Sequence, residues 1–286
     1  MPETALNIAQ LATDLVAFSP VALKLSQVID DKTSSAETIA EIIKQDVALT
    51  TNILRLANSP FYGFSQDISS IVEAVSRVGT TEVYQLALSV SARETFCGIP
   101  EKLISMEDFW SHSILCAYAT QELITTFNLK TSGSIYAAGL LHDIGQLILF
   151  ANRPEQATVA LERCLGTYEE NDQSEIEREV FGFTHADVGL ELARMWNFPP
   201  LLQECIAFHH NPSLAKKYEH EARIVNMSNV LAVLVEIQSQ NLNDASPIDD
   251  NLREAFNKNF SDIGAVCQRI EEKYNENKQV ILGAMI

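Results

Sequence analysis

Positive charge is scarce in this chain. Lysine and arginine total 20 against 38 aspartates and glutamates, a formal charge of −18 over 286 residues. Such a surface repels phosphate backbones and anionic lipid, so neither nucleic acid nor membrane is an expected partner. Long apolar runs are missing too. None approaches the roughly twenty residues that cross a bilayer, and the opening MPETALNIAQ lacks the basic and then apolar regions of a signal peptide. The five cysteines, Cys97, Cys116, Cys164, Cys205 and Cys267, form no CxxC pair and no disulfide spacing. They read as buried apolar residues in a reducing compartment, and a cytoplasmic location is expected. There is no repeat of fixed period, no low-complexity tract and no receiver, kinase or cyclase segment.

Alternating polar and apolar runs are scarce as well, whereas apolar residues recur at three- and four-residue spacing almost throughout. The expected fold class is all-α. Val21, Leu25, Val28 and Ile29 make one stripe behind Pro20, a residue suited to a first helical turn. Ser34 with Glu37, and Ser70 with Glu73, read as capping boxes, Asp46 as an N-cap, and Gly79 as a helix stop in the left-handed region. Asn58 to Gly63 breaks the pattern, and its aromatics Phe61, Tyr62 and Phe64 are expected to brace a loop. Gly and Pro near 98–102 mark a boundary between an N-terminal helical part (1–100) and a second helical part (101–240). A C-terminal extension (241–286) carries one amphipathic face, Ile263, Val266, Cys267, Ile270 and Tyr274.

The first part has no histidine; five of the chain's six fall at His112, His142, His185, His209 and His210. Imidazole and carboxylate together hold borderline divalent metals, so this set is the chief functional clue. Asp108 and His112 stand four apart and share a helix face. His142 and Asp143 lie in the apolar string GLLHDIGQLILF, expected as one helix, where an ionised aspartate is costly unless paired or bound to metal. Thr184 and Asp187 make a capping pattern that puts His185 in a first turn, and His209 and His210 close a helix stopped by Asn211 and Pro212. Each residue has a structural alternative: a capped helix start for Asp108 and His112, a cap or arginine partner for Asp143, a favourable helix-dipole position for His209 and His210. His220, between two glutamates, reads as a solvated surface residue.

The order His, His-Asp, His, His-His resembles the HD superfamily of metal-dependent phosphohydrolases, and more specifically its HDOD branch, the HD-related output domains of bacteria. SPVALKLSQVIDD, AEIIKQDVALTTNILRLANSPFYG and ISSIVEAVSRVGTTEVYQLALS match that family's helical first half in character and order. The resemblance spans roughly residues 15 to 235. It implies His112, His142, Asp143, His185, His209 and His210 as metal ligands, with Asp108 at an upstream carboxylate position. It also exposes two degenerate positions. Asn229 stands where the last HD aspartate belongs, and Gln146 replaces a lysine that meets substrate phosphate in active relatives. An amide has a weaker oxygen than a carboxylate and none of a lysine's charge. HHNPSLAKKYEH also lacks the GYP signature of relatives that cleave cyclic dinucleotides.

The resemblance therefore implies a bacterial signal-transduction output protein, non-catalytic or weakly active, whose partner is a signalling protein or a small ligand. The implied cofactor is a divalent metal, iron or manganese favoured, with zinc or nickel also suited to these donors. The alternative is a metal-dependent phosphohydrolase acting on a phosphate ester or phosphodiester, with Asp108 and Asp143 in the catalytic centre and Arg194 and Arg223 as phosphate contacts. A set of unrelated structural histidines is the third reading.

Overall fold

A computed structural model describes residues 4–13, 19–28, 35–58, 67–96, 103–166, 173–240 and 263–282. The described residues contain helices and no strand, which confirms the all-α class. No helix among them is long and apolar enough to cross a membrane. The expectations at Ile29, at Ser34, at the aromatics Phe61, Tyr62 and Phe64, at Cys97 and at the 98–102 boundary lie outside the described residues.

The first half packs α2 (Pro20–Val28), α3 (Ala36–Ile43), α4 (Val47–Ala57), α5 (Ile71–Val78) and α6 (Thr80–Phe96) against one another. Local signals set these boundaries. Asp46 accepts from the Leu49 amide at 2.9 Å, and Ser70 accepts from the Glu73 amide at 3.2 Å. Two expectations shift. The cap of α3 is Ser35, whose reciprocal partner is the Thr38 hydroxyl rather than Glu37. Gly79 does end α5 with a positive φ of 108°, but at ψ 147°, a glycine conformation beyond the left-handed helical well. Helix α6 is buried on almost every side from Val83 to Arg93 and joins the two halves through α8 (Ile135–Leu141), with Ser89 Oγ 2.9 Å from the Tyr136 hydroxyl.

The second half is built round α7 (Met106–Phe127), which lies between α8 and α14 (Glu219–Glu236). Helices α9 (Ile144–Asn152), α12 (His185–Met195) and α13 (Pro200–Phe208) complete its core, and α10 (Pro154–Gly166) pairs with α11 (Gln173–Phe181). Helix α1 (Ala5–Thr13) crosses the boundary expected from chain order. It docks on α9 and α12, with Ile8 and Ala9 fully buried.

The C-terminal helix α15 (Ile263–Ile281) buries the anticipated face, Val266, Cys267, Ile270 and Tyr274, chiefly against α7 and α14. Tyr274 donates its hydroxyl to Ser111 at 2.7 Å, Arg269 pairs with Glu122, and Arg93 of α6 donates to the Ile281 carbonyl at 2.8 Å. One C-terminal element thus ties both halves together.

Candidate metal centre

The HD dipeptide does not sit inside one helix. Helix α8 stops at Leu141, His142 caps its end, and Asp143 starts α9 with φ −102° and ψ 9°. The apolar run that reads as continuous helix is two helices meeting at this corner. The break turns Asp143 towards α12 and α13, where a straight helix would have kept its side chain on α8's own face.

Close packing brings α12 to that corner. A Cβ built on Gly145 would lie 1.9 Å from the His185 carbonyl oxygen and 2.7 Å from the Gly189 nitrogen. Backbone meets backbone there, and only glycine permits it. Thr184 and Asp187 form the expected capping box, which fixes His185 at the start of α12. His209 caps α13, so the helix has ended before Asn211 as expected, and Asn211 caps a short 3-10 turn over Pro212–Leu214.

These elements bring two donor groups together. Asp143, His185, His209 and His210 form one, and His112, His142 and Asp143 the other, each able to offer ligand atoms within 4.8 Å of one another. Asp143 belongs to both. Its Oδ1 lies 3.2 Å from His185 Nε2 and 3.3 Å from His209 Nε2, while its Oδ2 lies 3.2 Å from His142 Nε2 and 3.9 Å from His112 Nε2.

The imidazoles are locked from behind. His142 Nδ1 donates to the Gly139 carbonyl at 2.8 Å and His209 Nδ1 to the Ile206 carbonyl at 2.9 Å. His185 Nδ1 meets Glu177 Oε2 at 2.7 Å, and the same oxygen accepts the His185 backbone amide at 2.7 Å. With Nδ1 committed as donor, each neutral ring presents a bare lone pair at Nε2. Those lone pairs face one another: His185 Nε2 is 3.3 Å from His209 Nε2 and 3.1 Å from His210 Nε2. His142 Nε2 and Asp143 Oδ1 are buried without a hydrogen-bond partner. Acceptors converging in a buried space require a positive charge among them, so the donor set fits a divalent cation.

The protonation preferences carry the same message. Burial favours a neutral Asp143, but the imidazoles of His142, His185 and His209 that face its two oxygens hold its carboxyl well below the usual range. Burial depresses His185, yet Glu177 and Asp143 outweigh it and push the imidazolium up to about 10. Burial also depresses His112, and Glu236, whose carboxylate lies 3.1 Å from its Nδ1, more than compensates. His209 and His210 are lowered, chiefly by burial. His112 and His185 are thus drawn towards the cationic form, while His209 and His210 are held from it.

A cavity of about 610 Å³ opens onto the centre, with His112, Asp143 and His210 on its wall. Asp108, exposed, lines it without joining either donor group. Gln146 and Asn229 also line it, and no lysine or arginine is among its described lining residues. Arg194 pairs with Glu191 and Arg223 with Glu219 on the surface, so neither expected phosphate contact reaches the cavity. His220 is exposed, as anticipated. Glu177, Glu236 and Asn226 are site residues that the sequence did not reveal. Their partners lie 8, 124 and 17 positions away, beyond the reach of any local pattern.

The HDOD domain model matches residues 15–212, more than half of the chain. The chain belongs to the HDOD family. A Treponema pallidum (strain Nichols) protein called uncharacterized is 26% identical over 232 residues, 79% of this chain and 44% of its own length. This HDOD chain therefore spans less than half of the curated relative that it matches. Among solved structures, a Shewanella amazonensis SB2B protein named as a candidate phosphohydrolase superposes with a TM-score of 0.72 at 21% identity, over 99% of this chain and 98% of that one. A Marinobacter aquaeolei VT8 protein named as a candidate signal transduction protein also gives 0.72, at 20% identity, over 96% of this chain and 60% of that one. These two likenesses establish the fold.

Proposed function

We propose that this HDOD protein is a cytoplasmic bacterial signalling module that keeps a divalent-metal centre and acts by binding a partner or small ligand, with little or no phosphoester hydrolysis. One observation carries the reading: imidazole and carboxylate donors converge, while no lysine or arginine is among the described lining residues of the cavity above them. Gln146 and Asn229 present neutral amides there, and the charged side chains among the described lining residues are the carboxylates Asp108, Asp143 and Glu236. The four described cysteines are free, which fits a reducing compartment.

Asp143, His185, His209 and His210 would hold the metal, and His112 and His142 would hold a second on the other side of Asp143. Iron or manganese suits these donors best, with zinc or nickel also accommodated. A bound divalent cation supplies Lewis acidity and lowers the pKa of bound water. The chain's own contribution is orientation. Glu177 fixes the His185 ring, Glu236 fixes His112, and the carbonyls of Gly139 and Ile206 fix His142 and His209.

The second reading is the phosphohydrolase. It is favoured by the division of Asp143, whose two oxygens face different histidines as a bridging carboxylate would. Elemental analysis of tag-free protein beside Asp143→Ala, with hydrolysis of bis(p-nitrophenyl) phosphate in added manganese or iron(II), separates the two. The module predicts metal in the parent, none in the variant and no hydrolysis above that of the variant. Robust hydrolysis abolished by Asp143→Ala would establish the enzyme instead.

A further inference from the structure

Side-chain ties fasten α15 along α7 in opposite chain order. Arg269 pairs with Glu122 at 2.7 Å, Tyr274 donates its hydroxyl to Ser111 Oγ at 2.7 Å, and Lys278 stands 3.8 Å from Glu107. The two helices therefore run antiparallel. The outer ties are ion pairs with exposed cations, a class that contributes little. The tie between them is different, because Tyr274 is only 7% exposed and a hydrogen bond lost there is not regained from water. Ser111 immediately precedes His112 and lines the same cavity.

His112 is the donor that depends most on such support. His142, His185 and His209 are fully buried, and carbonyls of their own segments lock the rings of His142 and His209. The His112 side chain keeps 18% of its surface exposed, and its 3.9 Å from Asp143 Oδ2 is the longest of the four separations about that carboxylate. Its lock is a carboxylate from another helix, Glu236 of α14, at 3.1 Å. The position of His112 thus follows from how α7 sits against α14, and α15 packs chiefly on those two helices. The HDOD match ends at residue 212, so α14 and α15 lie beyond it and family membership alone gives α15 no role.

We infer that Tyr274 is a positioning residue of the metal centre: through Ser111 it holds α7 at the rotation that turns His112 towards Asp143, and so supports the donor group of His112, His142 and Asp143 selectively. The inference rests on the two-metal arrangement proposed above. The other donor group stands at the ends of α9, α12 and α13, none of which is a main contact of α15. It should not feel the loss of the Tyr274 hydroxyl.

The test titrates manganese(II) into the full chain after chelator treatment. Calorimetry reads the two binding steps, and electron paramagnetic resonance reads the spin-coupled pair of two ions that share Asp143. The step lost in His112→Ala identifies the site in question. Tyr274→Phe should weaken that step about fivefold, the worth of one hydrogen bond, and leave the other unchanged. Ser111→Ala should do the same, and the double variant should be no worse than either single change, since all three remove one bond. Arg269→Gln breaks the tie farthest from His112 along α7 and should leave both steps in place, which separates positioning from a general loosening of α15. An unaltered step in Tyr274→Phe, equal weakening of both steps, additive single variants, or an Arg269→Gln protein weakened as much as Tyr274→Phe would each overturn the inference while the two-metal reading stands. A parent chain that takes up one ion or none defeats the two-metal reading and this inference with it.

Discussion

Replacing Gly145 by alanine adds one methyl at the point where α9 meets α12. An ordinary contact starts near 3.4 Å, and the new Cβ would lie 1.9 Å from the His185 carbonyl oxygen, so the helices must part locally by about 1.5 Å. The neighbours are backbone atoms, which cannot rotate away as a side chain can. Overpacking of this kind costs about 1–3 kcal/mol. Helix propensity alone predicts the opposite sign, since alanine in a helix interior is favoured over glycine by up to about 1 kcal/mol. The sign therefore decides. A net loss of about 1–2 kcal/mol lowers the melting temperature of a 286-residue chain by about 2–3 °C. The same displacement would stretch the 3.2 Å separation of Asp143 Oδ1 and His185 Nε2, and metal affinity should fall about tenfold or more. Urea unfolding in excess chelator measures the first effect and competition with a chromogenic chelator the second. A Gly145→Ala protein as stable as the parent, or more stable, with unaltered metal affinity, refutes the close-approach argument.

Gly189→Ala should be milder, because its Cβ meets the Ile206 side chain at 2.7 Å and that methyl can move; urea midpoints of the two variants give the ranking. Glu177→Gln removes the charge behind His185, and metal affinity should fall about 10–100-fold by chelator competition, an unchanged affinity counting against an orienting role. Metal-free protein should lose stability with rising pH. His185 is pushed up to about 10 in the fold against 6.5 for a free imidazole, so its contribution is complete below pH 6.5 and gone once the pH passes about 10. Metal-loaded protein lacks that decline because its liganded imidazole carries no proton, and urea midpoints at pH 6.5, 8 and 9.5, with and without chelator, check the difference.

Much of the site was legible because its signals are local. The capping pair Thr184 and Asp187 announced where His185 would stand, and Asn211 with Pro212 announced where His209 and His210 would stop. The α15 face followed from helical spacing alone. The corner at His142 and Asp143 was hidden, because GLLHDIGQLILF contains no proline and its apolar residues satisfy one helix as well as two. Its second glycine, Gly145, looks like a modest propensity cost and is in fact the crossing point of α9 with α12. Glu177 and Glu236 were invisible for another reason. A carboxylate that buttresses a histidine is identified only when folding brings them together, and α11 and α14 do so from distant parts of the chain. The docking of α1 on α9 and α12 was likewise beyond reading by chain order.

The account stands on a cation held by Asp143 and its surrounding imidazoles. Anomalous diffraction from crystals of tag-free protein, collected on both sides of the manganese, iron, nickel and zinc absorption edges, tests this most directly. The account predicts a peak among Asp143 Oδ1 and the Nε2 atoms of His185, His209 and His210, absent in Asp143→Ala crystals. Crystals of protein supplied with these metals that show no peak there, with the four side chains placed as described, would contradict it.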